Sequence, residues 1–354
     1  MGSSTPNKGA FSLEWAPSRE AAKVEGVTYT LQQKSADGGW ETVASGLTSP
    51  SYTFSSAAQG TFTYRVSASG EGAESQYSAA SPAVVVDTTA PPAPTAVVSR
   101  APDYSGGGGW YKGSVMVSFA SNGTATLPDG SEGAALNEAS LTGVQTVEGS
   151  GSHEVCGTVA DVLGNTSAPG CVTVQVDATP PSLTVSCPAT AELDSTGVNA
   201  SVSATDGQSG LAKDPSGTVA IPTGSLGVQT VTETAVDNVG YETSRSCTTD
   251  VIYAFTNLKP NGSKFKAGKA VKVSFHLGDT LGYVTDGSGT LEIAREGGSY
   301  SPATSATNHG DSFVSAGKGQ YTYSLSTTGL AKGNYSLRVN VSDGTTHTTT
   351  ITIK

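Results

Sequence analysis

Charge is scarce in this chain: Asp, Glu, Lys and Arg together make up 14% of its 354 residues, where an average soluble protein carries about 25%. What charge there is leans acidic, net −11 with a pI near 4.8, and Lys and Arg form no run. The sequence therefore offers no basic surface for a polyanion and predicts no nucleic-acid partner. Long apolar runs are missing too. No stretch approaches the roughly 20 residues that cross a bilayer as a helix, so no membrane span is expected. The opening MGSSTPNKGAFSLEW has neither the basic start nor the apolar centre of a signal peptide, and reads as a chain whose leader is absent. No H-E-x-x-H, phosphate loop or dinucleotide fingerprint occurs. With no C-x-x-C, and no further ligands suitably spaced around His153 and Cys156, zinc is not expected.

Glycine (44) and proline (17) are plentiful, and the hydrophobic residues, 36% of the chain, fall in short alternating runs of Val, Ile, Tyr and Phe. Alternation with a period of two, broken every few residues by Gly, Pro, Ser or Asp, is the pattern of half-buried strands and turns. It argues against disorder, which lacks such apolar order. At roughly 100–150 residues per domain, the length allows two to four units. Two matching stretches look like the joints between them. VVVDTTAPPAPTAVV begins at Val84 and VQVDATPPSLTV at Val174, each running from β-branched residues into Asp-x-Thr-x-Pro. Proline has no amide hydrogen to donate, so the ladder must stop there, and its fixed φ stiffens the handover.

Residues 11–87 read FSLEW, VTYTLQQKS, WETVAS, SYTFSS, TFTYRVSAS and SPAVVVD, strand after short strand. Trp15, Tyr29 in YTLQQK, the hairpin DGGWETVASGL and the YRVSA run at Tyr64 resemble a fibronectin type III module. In the second and third segments, GSHEVCGTVADVLGNTSAPGC and GVQTVTETAVDNVGYETSRSC align without a gap, placing Gly151, Val155, Asp161 and Cys171 on Gly227, Val231, Asp237 and Cys247. This is an internal repeat. ADVLGNTS and VDNVGYETS resemble the turn between the last two strands of bacterial immunoglobulin-like domains. The last segment, with LKPNGSKFKAGKAVKVSFHLGD and GNYSLRVNVSDGTTHTTTITIK, is similar to the PxKF-type module of large secreted proteins of Gram-positive bacteria. There Val271, Val273 and Phe275 should face inward and Lys272, Ser274 and His276 outward. The expected architecture is all-β: four tandem immunoglobulin-like or fibronectin type III-like sandwiches in an elongated array, at 1–89, 90–177, 178–252 and 253–354.

Four cysteines occur. Cys156 and Cys171 are centred on Leu163-Gly164, the tip of a hairpin, and Val155, Val159, Val172, Val174 and Val176 claim the inward positions. A cross-strand bridge on the outward face fits. Cys187 lies on the first strand of its domain, and the resemblance to immunoglobulin-like sandwiches implies that this strand flanks the last one, pairing Cys187 with Cys247. Two bridges imply an oxidising compartment, hence a secreted or cell-surface protein.

GDSF at Gly310–Phe313 is similar to the nucleophile segment of GDSL-type hydrolases, with Asp343 and His347 downstream. Those enzymes are built with helices, and nothing here reads helical. Ser312 is therefore read as a loop serine, His347 as an exposed residue on an edge strand, and the chain as no enzyme. The likeness to domain strings of bacterial adhesins implies calcium at the joints, held by Asp87 with Asp103, and by Asp177 with Asp161 and the Asn165 carbonyl. Strand-ending aspartates are the commoner role. Trp40, Trp110 and Tyr111 are candidates for stacking on a sugar, although Trp40 also suits a hairpin cap and Trp110 a core plug. The sequence thus points to a non-catalytic extracellular spacer or adhesion array presenting a partner domain or surface. Its partner would be a cell-surface or matrix glycan or protein, with self-association through edge strands such as HTTTITIK. The alternatives are a carbohydrate-binding accessory region of a secreted enzyme and a virion or appendage component.

Overall fold

The computed structural model describes residues 7–19 and 25–354, and among these it contains strands, two short 3-10 turns and no α-helix. The chain divides into two compact units, Met1–Thr179 and Pro180–Lys354. Each holds two β-sandwiches; the buried clusters of unit 1 are distinct, and in unit 2 Leu193 and Leu226 of the earlier sandwich also pack against the core of the later one.

In the first sandwich of unit 1, Thr28–Ser35 lies between Glu41–Leu47 and Gly60–Gly70, and Val84–Val86 joins the far side of the last. Phe11–Glu14 pairs with Ser51–Phe54 to form the opposing layer. The alternation turns Leu13, Tyr29, Leu31, Phe62 and Tyr64 inward, where they pack with Trp15, Val84 and Val86. Phe11 stacks on Phe54 at 4.6 Å. Among the described residues, Trp15 Nε1 and the Tyr64 hydroxyl are buried without a hydrogen-bond partner, and burial pushes the Tyr64 phenol well above its usual pKa. A hydroxyl that gave up water and gained nothing costs roughly 1–3 kcal/mol. Tyr64→Phe is therefore expected to stabilise this sandwich by about 1 kcal/mol. Guanidinium unfolding would show it as a raised midpoint; a lowered midpoint would mean that the hydroxyl is bonded in solution.

The second sandwich sets Thr95–Val98, Val115–Ala120 and Gln145–Val147 against Trp110–Lys112, Gly151–Gly157 and Gly170–Asp177. Val115, Val117, Phe119, Val155, Val174 and Val176 fill the space between. Gly170 is required by close approach: a Cβ there would lie 1.7 Å from the Pro94 carbonyl oxygen. The linker leaving the first joint is thus pressed onto the last strand of its own domain.

In unit 2, the third sandwich opposes Ser182–Ser186, Asn199–Thr205 and Gly217–Ala220 to a sheet of Thr190–Glu192, Leu211–Lys213, Gly227–Asp237 and Glu242–Ile252. Its core is thin and split. Leu183, Val202, Ala204 and Ala235 form one cluster, and Ala200, Ile221 and Val231 the other. The fourth sandwich is the best filled. Val271, Val273 and Phe275 are at most 1% exposed, as the alternation predicts, and Phe275 packs against Phe255, Phe313 and Tyr321.

Parallel closure recurs in all four. An early segment pairs in parallel with the last strand: Asn7 with Val86 as a single bridge, Trp110–Lys112 with Gly170–Asp177, Thr190–Glu192 with Glu242–Ile252, and Ser263–Phe265 with Thr346–Ile353. In the last three sandwiches the preceding strand pairs in the other sheet, so the chain switches sheets between the two. Pro102, Pro188 and Pro260 sit in those switches, where a residue without an amide hydrogen breaks no ladder. Two expectations are corrected by this. Cys187 does not lie on a strand beside the last one but in the switch itself. The final strand is an edge only in part: Gly333–Val341 flanks it along one side, and Ser263–Phe265 covers Ile351–Ile353 on the other. Alternation reports which face a side chain takes, not which strand lies alongside.

Candidate functional site

Both disulfides lie within single sandwiches. Cys156 and Cys171 face each other in register across antiparallel strands with Cα atoms 4.1 Å apart, and Cys171 is exposed. Cys187 joins Cys247 across a Cα distance of 5.6 Å, tying the sheet-switching segment to the last strand. Both half-cystines pack against the small cluster of Ala200, Ile221 and Val231. Bridges of this kind persist in an oxidising compartment. Glu154 comes within 4.8 Å of the Cys156 and Cys171 sulfurs, but sulfurs joined to each other offer no thiolate to a metal.

The Asp87 joint is a densely hydrogen-bonded polar site of unit 1. Asp87 is fully buried because its strand ends under a loop of the second sandwich. Its Oδ1 accepts from the Thr89 amide at 2.7 Å and its Oδ2 from the Ala134 amide at 2.7 Å. Gly133 makes room, since a Cβ there would fall 2.5 Å from Asp87 Oδ2. Asn165 donates from Nδ2 both to the Asp87 carbonyl at 3.3 Å and to Asp161 Oδ2 at 2.7 Å. Asp161 Oδ1 in turn accepts from the Leu163 and Asn165 amides. A second clasp stands beside the first. Asp129 Oδ2 accepts from the Thr61 amide at 2.8 Å, and Thr61 Oγ1 donates to Ser131 Oγ at 3.0 Å. Burial pushes the Asp129 carboxyl up, but hydrogen bonds from Ser131 and Thr61 outweigh it and hold the group below the usual carboxylate range.

This donor set does not fit calcium, which needs six to eight oxygens with lone pairs turned toward it. Asp87 and Asp161 face amide hydrogens instead, and the Asn165 carbonyl accepts from the Asp161 amide. Asp103 is paired with the Arg100 guanidinium and accepts from the Lys112 amide at 2.7 Å. Slight burial pushes its carboxyl up, yet these partners hold it low. Asp177 is a separate case: it is buried and accepts from the Thr179 amide at 3.1 Å, and Asp161 and Asn165, expected beside it, are bonded at the Asp87 joint instead.

The aromatic candidates do not form one platform. Tyr111 is 9% exposed and belongs to the core, because successive residues on a strand point to opposite faces and Trp110 takes the outer one. Trp110 is half-buried beside the glycine turn, where Gln175 Nε2 donates to the Gly107 carbonyl at 3.0 Å. Trp40 already holds a cation. The Arg65 guanidinium sits 4.1 Å from its ring centroid and 4.2 Å from that of Tyr77, fixed by bonds of 2.9 and 2.7 Å to Gln32 Oε1. Sequence reasoning missed Gln32, Arg65 and Tyr77. The available signal was that Gln32 and Arg65 alternate with inward residues on what prove to be neighbouring strands.

Ser312, Asp343 and His347 make no relay. Asp343 accepts from the Tyr253 amide at 2.9 Å and from Thr345. His347 pairs with the Thr345 hydroxyl at 3.0 Å and stacks on Phe255 with centroids 3.6 Å apart. It is half-buried rather than exposed. Burial lowers its pKa, and the charge of Asp343 opposes this in part. His153 is spent on the Gly149 carbonyl at 3.1 Å.

No protein-family model matches this chain, and no curated protein matches it. Among solved structures it is similar to the Sidekick-1 immunoglobulin domains 1–5, with 12% identity over 99% of this chain and 77% of that one at a TM-score of 0.24. It is also similar to the chicken CNTN1 FN1–FN3 domains (10% identity, 98% and 95% covered, TM-score 0.22). A third is the human Desmocollin-1 ectodomain (11% identity, 98% and 77% covered, TM-score 0.25). The assignment to tandem immunoglobulin-like and fibronectin type III-like sandwiches rests on the sheets and cores described above.

Proposed function

We propose that this chain is a non-catalytic string of four sandwiches, 1–89, 90–177, 178–252 and 253–354, acting outside the cell as a spacer or adhesion segment that presents a partner domain or surface. One observation supports the reading: the buried residues of each core cluster come from one sandwich, while Asp87, Asp103, Asp161, Asp343 and His347 are held in hydrogen bonds or ion pairs within the fold. A load-bearing role would also explain cross-links placed within domains rather than between them. Single-molecule extension from end to end is the test. Four separate unfolding events are expected. Reduction should lengthen the event of the third sandwich by roughly 200 Å, because its bridge hides a span of 60 residues worth about 3.3–3.6 Å each when extended. A single rupture of the whole chain would overturn the reading.

A further inference from the structure

The acidity of the chain is not evenly spread. Residues 253–354 carry eight lysines and two arginines against four aspartates and two glutamates, net +4, which leaves −15 for the residues before them. Five of those lysines, Lys259, Lys264, Lys266, Lys269 and Lys272, fall in a stretch from 254 to 278 that has no acid.

Folding concentrates them further. Lys264 lies on the strand paired with Thr346–Ile353, and Lys354 is tied to the same place by its amide bond to the Phe265 carbonyl at 2.9 Å. Gly333 pairs with Ile353, setting Lys332 next to Lys354, and Arg295 Nη2 donates to the Lys332 carbonyl at 3.2 Å. Lys269 joins them through its carbonyl, which accepts from Thr327 Oγ1 at 2.6 Å. Lys264, Lys266, Lys269, Lys332, Lys354 and Arg295 thus share one end of the fourth sandwich. All five lysines are exposed, and among the described residues none has an ion-pair or hydrogen-bond partner for its ammonium group. Glu296, which accepts from Asn334 Nδ2 at 3.0 Å, is the acid at this end. The other end is acidic: burial, and then the charges of Asp286, Asp343 and Asp279, push the Tyr253 phenol up.

We propose that this basic end is a docking surface for a linear anionic polysaccharide. Charge complementarity selects a polyanion, and the side chains narrow the choice. Protein interfaces are depleted in lysine and built around aromatic and arginine anchors, and a single-stranded nucleic acid needs aromatic rings on which its bases stack. A membrane surface needs apolar insertion beside the charge for stable attachment. The large exposed apolar residues of this sandwich, Leu281, Tyr283 and Val314, lie away from this end. Unpaired ammonium groups on flexible stems suit a polymer that offers repeated carboxylates or sulfates without a fixed shape. This surface does not depend on the spacer reading.

The test uses the whole chain at about 0.05 M salt, where screening is weak, with heparin as the sulfated probe, polygalacturonate as the carboxylated probe and dextran as the neutral control. Despite its pI of 4.8, the chain should be retained by both polyanions, pass through dextran, and be released as salt rises. Replacing Lys264, Lys266, Lys269 and Lys354 together with Gln should weaken binding about tenfold or more. The same four changed to Arg should keep it, and Lys213→Gln, in another sandwich, should leave it unchanged. Passage of the unaltered chain through both polyanion columns would overturn the proposal. So would equal retention of the Gln variant, or binding to vesicles of phosphatidylglycerol and phosphatidylcholine with none to either polymer.

Discussion

Replacing Cys187 and Cys247 with serine should cost the third sandwich about 4 kcal/mol, the chain-entropy value for a closed loop of this length. The bridge spans 60 residues and restrains the unfolded chain more than its partner does, since Cys156–Cys171 spans 15 and is worth about 3 kcal/mol on the same basis. The native side points the same way. The third sandwich has only alanines, valines and single Leu and Ile residues in its two buried clusters, so little apolar area stands ready to make up a loss. A domain of this size holds only about 5–15 kcal/mol in total. Calorimetry of the serine variant should show the third sandwich melting well before the others, or unfolded at 37 °C. Unchanged melting would mean that the bridge restrains nothing the core does not already hold. Mild reductant should open the Cys156–Cys171 bridge first, through the exposed Cys171, because exchange requires access to a sulfur, and a timed peptide map would record the order.

The Asp87→Ala variant should lose about 3 kcal/mol from unit 1. Hydrogen bonds to a charged acceptor contribute roughly 1.5–3 kcal/mol each, and Asp87 accepts two, from Thr89 and Ala134. Removing the carboxylate relieves its own desolvation, which keeps the loss below the sum, but it leaves two amides facing a space that water enters poorly. One of those amides belongs to the second sandwich, so the melting of both sandwiches in unit 1 should shift together. Asp87→Asn, which retains one side-chain oxygen acceptor, should lose less. A change within about 0.5 kcal/mol, the range of ordinary surface substitutions, would show that the joint is held elsewhere, with the Asp129 clasp on Thr61 the next group to remove.

Much of the fold was legible residue by residue. Val271, Val273 and Phe275 go inward because a strand alternates, whatever its neighbours. Cys156 meets Cys171 because a hairpin with its tip near Leu163-Gly164 leaves those two positions opposite each other. The Asp-x-Thr-x-Pro stretch marks a strand end, although the strands stop before the proline, where Asp87 and Asp177 accept from the amides two residues on. The site was less legible. The likeness to adhesin domain strings implies a cation at Asp87, while the amides of Thr89 and Ala134 that bond its carboxylate have no signature in the sequence. Arg65 lies between Trp40 and Tyr77, residues far from it along the chain, and only strand order brings the three together.

The sequence by itself determined what depends on nearest neighbours along the chain: strand periodicity, where ladders stop, the repeated closing hairpin, and which cysteines stand across a turn. The tertiary structure decided everything that depends on which strands become neighbours. It moved Cys187 off its expected strand into the switch between sheets, covered the end of the final strand with a parallel neighbour, and turned His347 against Phe255. It also gathered lysines scattered from Lys264 to Lys354 at one end of a chain whose summed charge is −11. Net charge is an average over the whole sequence, whereas the field at a surface falls off within about 10 Å at ordinary ionic strength; the local count is therefore set by the sheet register that brings distant residues together.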